Sequence, residues 1–133
     1  MKKHISLVLS VLVGAGSMLA LAPSASAAGT CASAHFCLFE DDDYKGQHVD
    51  VAYRAGAIDL SRTKWAGGNG FVTNGASSMK NNTSHVVKLH GSGNCGGDQG
   101  YEAKKNSVDT DFSNNGFDNK ASCVLFFCPE NHE

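Results

Sequence analysis

Five cysteines offer the clearest chemistry in this 133-residue chain: Cys31, Cys37, Cys95, Cys123 and Cys128. In an oxidising compartment they pair, and five permit at most two bridges within one chain. Cys31 and Cys37 flank a short Ala/Ser loop and can close it locally. Cys95 and Cys123 can tie two distant segments and leave Cys128 over, or Cys128 can pair with Cys123 instead. Spacing alone does not choose between these maps. It does disfavour zinc, because there is no C-x2-C pair and the histidines are dispersed. Nucleophilic catalysis is disfavoured too. No G-x-S-x-G is present, and His35, His48, His85, His90 and His132 lie outside any recognisable catalytic motif. Cysteines held in bridges supply no thiolate. The expectation is a protein that is not an enzyme. The acidic run Asp41-Asp42-Asp43 reads as a turn, with cation binding as its alternative use.

The compartment is written at the start of the chain. Lys2, Lys3 and His4 precede an apolar stretch from Ile5 to Leu21, followed by Pro23 and Ser24-Ala25-Ser26-Ala27. A basic start, an apolar middle and a small-residue end make a secretory signal peptide, 1–27, cleaved after Ala27. The apolar stretch is short and broken by Gly14 and Gly16, and nothing later is long and apolar enough to span a bilayer. The expected product, 28–133, is a single secreted, extracellular domain and a monomer, with no membrane contact after cleavage. Losing Lys2 and Lys3 leaves nine basic against thirteen acidic residues, and the basic ones form no stripe. Nucleic acid is therefore not an expected partner.

The elements that must position these residues read as short strands. Phe36–Phe39, His48–Tyr53, Ser77–Asn81, Val86–His90, Tyr101–Lys104 and Ser122–Phe127 are apolar or alternating, and Gly/Asn/Asp/Ser clusters separate them. Ala57–Trp65 reads as irregular with a possible helical turn, and Asp109–Asn119 as polar loop. Asn81-Asn82-Thr83-Ser84 contains the linker and two chance glycosylation sequons.

The two halves share landmarks. Phe39-x4-Tyr44-x-Gly46 is echoed by His90-x4-Cys95-x-Gly97, and Asn74-Gly75-Ala76-Ser77-Ser78 by Asp118-Asn119-Lys120-Ala121-Ser122-Cys123. The offset is 51 residues at the first landmark and 45 at the second. Two units of about four strands, near 31–82 and 85–128, give an all-β sandwich of two Greek keys facing one core.

These residues resemble the βγ-crystallin signature: an aromatic, four residues, an aromatic, one residue and Gly, followed later by Asn/Asp-Asn/Asp-x-x-Ser/Thr-Ser. The first half matches the hairpin part, whereas His90 and Cys95 replace both aromatics in the second. Thr73 and Cys123 depart from the later part. Cys31-x5-Cys37-Leu-Phe-Glu after a signal peptide is similar to secreted actinobacterial proteins grouped as peptidase inhibitor family I36. The resemblance implies a Greek-key βγ-crystallin-type sandwich and a secreted proteinaceous inhibitor of extracellular peptidases, metallopeptidases among them. A Cys95–Cys123 bridge would replace the missing aromatic corner. No cofactor is required. Calcium is a candidate ligand at the matched positions Asn74 with Ser77 and Asp118 with Ser122. The alternatives are a calcium-binding structural or surface-binding module and, less favoured, a small secreted toxin. An inhibitor presents a rigid loop to a protease cleft. Two loops qualify: Gly91–Gly100 with Cys95, and Ala57–Gly70 with Trp65, which is either exposed or a cover for the core edge. The reactive bond is not assigned.

Overall fold

Strand β1, His35–Asp41, carries four consecutive buried residues, Phe36, Cys37, Leu38 and Phe39. Side chains alternate between the two faces of a strand, so an unbroken buried run requires cover on both. Phe36 and Leu38 enter the common apolar core, while Cys37 is bonded to Cys31 and Phe39 lies against Tyr44. A strand covered in this way belongs inside a sheet, and β1 lies between two neighbours.

The computed structural model describes residues 29–97 and 99–128. The expected leader and its cleavage point lie outside them. After β1 come β2 (Lys45–Ala52), β3 (Ile58–Asp59), β4 (Ser78–Asn81), β5 (Val86–His90), β6 (Gln99–Ala103), β7 (Ser107–Asp109) and β8 (Cys123–Phe127). They form two antiparallel sheets, ordered β2-β1-β4-β7 and β3-β8-β5-β6. Each half of the chain contributes three strands to one sheet and sends its third strand to the edge of the other. The expected all-β sandwich of two four-stranded Greek keys is present.

Phe36, Leu38, Val51 and Met79 of the first sheet meet Ile58, Val87, Leu89 and Val124 of the second. Leu60, Trp65, Val72, Phe112 and Phe117 close the ends. Each such side chain contributes about 1.5–3 kcal/mol when fully buried.

The exchanged strands were not legible in the sequence. β3 has two residues and β7 three, too short to display a period of two. Where a helical turn was expected between Ala57 and Trp65, the chain makes β3 and a series of turns. The short 3-10 segments described are Asp42–Tyr44 and Phe112–Asn115. The second lies inside the stretch read as polar loop.

The linker is organised by Asn81, which is fully buried. Its Nδ2 donates to the carbonyls of His85 and Lys104, each at 2.9 Å. Its Oδ1 accepts from the backbone N–H of Thr83 at 3.1 Å and from the Thr83 hydroxyl at 2.7 Å. Burial keeps a glycan off Asn81. Asn82 is exposed and ties the linker to the carbonyl of Cys31.

Candidate functional site

Hairpin one, between β1 and β2, turns through Asp43 (φ 55°), Tyr44 (φ 60°) and Gly46 (φ 74°). Left-handed backbone favours glycine, and at Gly46 a Cβ would also stand 2.7 Å from the Asp41 carboxylate. The Tyr44 ring packs edge-on to Phe39 at 5.6 Å, and Lys80 Nζ lies 4.2 Å from the Tyr44 ring centroid. The Ser78 hydroxyl then clamps the turn. It donates to the Asp41 carbonyl at 2.6 Å and accepts from the Tyr44 N–H at 3.1 Å.

Hairpin two, between β5 and β6, keeps the last two left-handed places of this turn with different chemistry. Cys95 (φ 55°) and Gly97 (φ 76°) occupy the places of Tyr44 and Gly46. Cys123, at the start of β8, occupies the place of Ser78, and it is bonded to Cys95. A covalent bond thus stands where hairpin one has a serine hydrogen bond and an aromatic pair. Inside the turn the Ser92 hydroxyl donates to the Gly96 carbonyl at 2.6 Å, and Cys95 N–H donates to Ser92 O at 3.1 Å. Asn94, Gly96 and Gly97 are exposed. Hairpin two is a largely exposed loop with its own bonds, fastened through Cys95 in its middle to a core strand.

The other expected loop behaves differently. Trp65 is only 4% exposed and belongs to the core cluster, so it covers the sheet ends and is not a surface anchor. The exposed aromatic there is Phe71, which Lys64 approaches. Cys128 does not pair with Cys123. It is free and exposed, with its Sγ 3.5 Å from the Tyr53 hydroxyl.

The four candidate calcium residues gather at two pseudo-equivalent places. The structure joins Asn74 to Ser122 of the other half: the Ser122 hydroxyl donates to Asn74 Oδ1 at 2.9 Å and lies 2.9 Å from the Thr73 hydroxyl. Their backbones also interlock, with Asn74 N–H on Ala121 O and Asn119 N–H on Ala76 O. Ser77 is buried, and the carbonyl of Ser77 accepts from Phe112 N–H. Asp118 is unlike the rest. Its Oδ2 accepts from Asn119 Nδ2 at 3.1 Å, while its Oδ1 is buried without a hydrogen-bond partner. Hairpin one reaches the same neighbourhood, because Asp43 N–H donates to Thr110 O. Asp42 is raised from its ordinary value, first by loss of solvation and then by Asp111, Asp118, Asp43 and Asp41. Among the described residues no group of three His, Cys, Asp or Glu converges as a metal cluster. Calcium, however, also takes hydroxyl, amide and backbone oxygens. The Asp118 place, with an orphaned carboxylate oxygen and surplus negative charge, fits a cation. The Asn74–Ser122 place already satisfies its own oxygens.

A sandwich with exchanged third strands and paired left-handed hairpins is the βγ-crystallin architecture. It is shared with a structure described for the evolution of the eye lens βγ-crystallin domain fold: TM-score 0.59, 17% identity, 78% of this chain and 95% of that one. The N-terminal domain of protein S is similar at TM-score 0.53 and 21% identity, over 72% of this chain and 98% of that one. A βγ-crystallin from Ciona intestinalis gives TM-score 0.53 and 18% identity, over 70% and 99%. No curated protein matches in sequence. The model of peptidase inhibitor family I36 matches residues 24–103, more than half of the chain, and the chain belongs to that family. It is a family of inhibitors and not of enzymes, so its partner is a peptidase.

Proposed function

We propose that this protein is a secreted inhibitor of an extracellular peptidase, and that hairpin two is the segment it offers to the enzyme's cleft. The observation that carries this reading is the Cys95–Cys123 bond, which pins an exposed turn to a core strand in a chain of an inhibitor family. A loop already held in one conformation loses little entropy on binding, and a cut within a stapled loop leaves its ends in place. Two bridges are in keeping with an extracellular life, and no helix among the described residues is long and apolar enough to cross a membrane. The expected leader would deliver 28–133 to the outside as a monomer.

The test is a titration of the oxidised protein against thermolysin-like, subtilisin-like and trypsin-like peptidases, with the Cys95→Ser/Cys123→Ser variant in parallel. Tight, near-stoichiometric inhibition by the native protein, weakened in the variant, is expected. Equal inhibition by both would remove hairpin two from the reading, and no inhibition of any class would remove the reading for those enzymes.

A second reading concerns a ligand of the same domain and is favoured by the orphaned Asp118 Oδ1. Calcium would bind beside Asp118 and Ser77 against the acidic turn of hairpin one, and would stabilise the domain without taking part in chemistry. Asn74 and Ser122 would hold the opposite place shut by their mutual hydrogen bond. Calorimetric titration with calcium tests it. Binding that vanishes in Asp118→Asn is expected; binding unaltered by that substitution, or none, would discard the site.

A further inference from the structure

The chain has two arginines, Arg54 and Arg62, and both line one groove of about 590 Å³. The groove opens between β2 and β3, the edge strands of the two sheets. Its floor is apolar, formed by Val49, Val51, Ala57 and Ile58. Val51 and Ile58 also belong to the core, so the floor is the side of the sandwich interior where the sheets part.

Three properties of this groove point to the same kind of ligand. The first is hydrogen-bonding capacity. One oxygen of the Asp59 carboxylate, Oδ1, accepts from the Ser61 N–H at 2.8 Å and the Ser61 hydroxyl at 2.6 Å. Asp50 accepts from Ala32 N–H at 3.1 Å through Oδ2, and its Oδ1 stands 3.7 Å from His48 Nε2. Both acids are thus engaged internally, each through one hydrogen-bonded oxygen. The guanidinium groups are not: Arg62 meets Asp59 at 3.7 Å through Nε alone and its side chain is 86% exposed. A guanidinium carries five donors, so the groove's unspent capacity is for donating to carboxylates.

The second property is the open edge. β2 pairs with β1 on one side only. The His48 carbonyl points to the free side, where it accepts from Ala66 N–H at 2.8 Å. Outward-facing residues alternate along an antiparallel strand, so the next ones are Asp50 and Ala52. Among the described residues no other backbone segment bonds to them there. Four backbone groups are left for an added strand, and an added strand would lie along the groove.

The third is alternation. Side chains of an added strand would point by turns to the apolar floor and outward. The arginines stand at the rim, beyond the end of β2 and after β3.

We infer that the β2–β3 groove binds an extended acidic peptide segment of a partner protein, which adds to the β2 edge, seats apolar side chains on Val51 and Ile58, and places carboxylates against Arg54 and Arg62. This surface adjoins hairpin two, whose Gly93 stands beside Asp59, but its case does not rest on the inhibitor reading.

The experiment is fluorescence anisotropy of the oxidised protein with a labelled short peptide of alternating glutamate and valine. Its lysine-for-glutamate counterpart and a version N-methylated on alternate amides serve as controls. Saturable, salt-sensitive binding of the glutamate peptide is expected, weakened about tenfold or more in Arg54→Ala/Arg62→Ala. N-methylation on the bonding face should abolish it. Both arginines are surface residues, and unaltered thermal unfolding of the variant would confirm that it folds. Equal binding of the lysine peptide, full binding by the double variant, indifference to N-methylation, or no binding would each overturn the proposal.

Discussion

Hairpins one and two occupy equivalent places in the two halves and hold their turns by different means. Hairpin one uses a ring pair, a lysine over a ring and one serine hydroxyl. Hairpin two gives up both aromatics and uses a disulfide. The difference teaches what the aromatic corner does in this fold. It resists the cost of left-handed residues in the turn, and any clamp between the turn and the neighbouring strand can do the same. A disulfide does it with no bulky side chain over the turn, which leaves the turn free to be contacted by something else.

The sharpest way to break the comparison is to remove the covalent clamp. Cys95→Ser/Cys123→Ser should cost about 2–4 kcal/mol, lowering Tm by on the order of 10 °C or more. Local hydrogen exchange should rise most in 91–97. A loss below about 1 kcal/mol would mean that the turn's own bonds suffice.

Next in size is the hinge between the halves. Asn81→Ala deletes the side-chain donor and acceptor of the linker bonds and leaves the His85 and Lys104 carbonyls without them, for a loss of about 2–3 kcal/mol in urea unfolding. If the change is near zero, the linker is not what joins the units.

Ser78→Ala should cost about 1–2 kcal/mol, less than the disulfide, because one hydroxyl serves two bonds while the Phe39–Tyr44 pair remains. The reverse exchange sharpens the point: Tyr44→Cys/Ser78→Cys should form a bridge on oxidation, detectable as a two-proton mass loss. Failure to oxidise would show that the two hairpins are less equivalent than their backbones.

The smallest effect concerns charge. Asp42 is raised in the folded protein, so its ionised form destabilises the fold at neutral pH, and protonation relieves this as pH falls through the raised value. Asp42→Asn should therefore raise Tm slightly at neutral pH, with the gain disappearing in acid. Gain that persists at low pH would mean the neighbours Asp111 and Asp118 are not its source.

The hairpin signatures were legible because each needs a glycine at a fixed place, and sequence records such a demand directly. Gly46 and Gly97 show it. Four of the expected strands lie wholly within observed ones or differ from them by a single residue at one end, since an apolar run such as Phe36–Phe39 reports burial. The partner of Asn74 was not legible. Its hydrogen bond to Ser122 spans the two halves and depends on the approximate twofold relation between them, which no local pattern states. Of the two readings of Trp65, cover for the core edge is the one the structure bears out, and sequence could not choose it for a related reason. A tryptophan in a glycine-rich stretch looks exposed until the core beneath it is known. The groove between β2 and β3 could not be read either, because Arg54 and Arg62 come to line one groove only when two sheet edges lie side by side.

The exchange of β3 and β7 between the sheets also governs how the molecule assembles. Neither half can complete a sheet from its own residues, because the edge of each is supplied by the other. The two halves should therefore unfold in a single cooperative transition. Their pairings join residues far apart in sequence, a topology that slows folding. Peptides 29–82 and 83–128, mixed in solution, should each be unstructured alone and should regain strand signal only together.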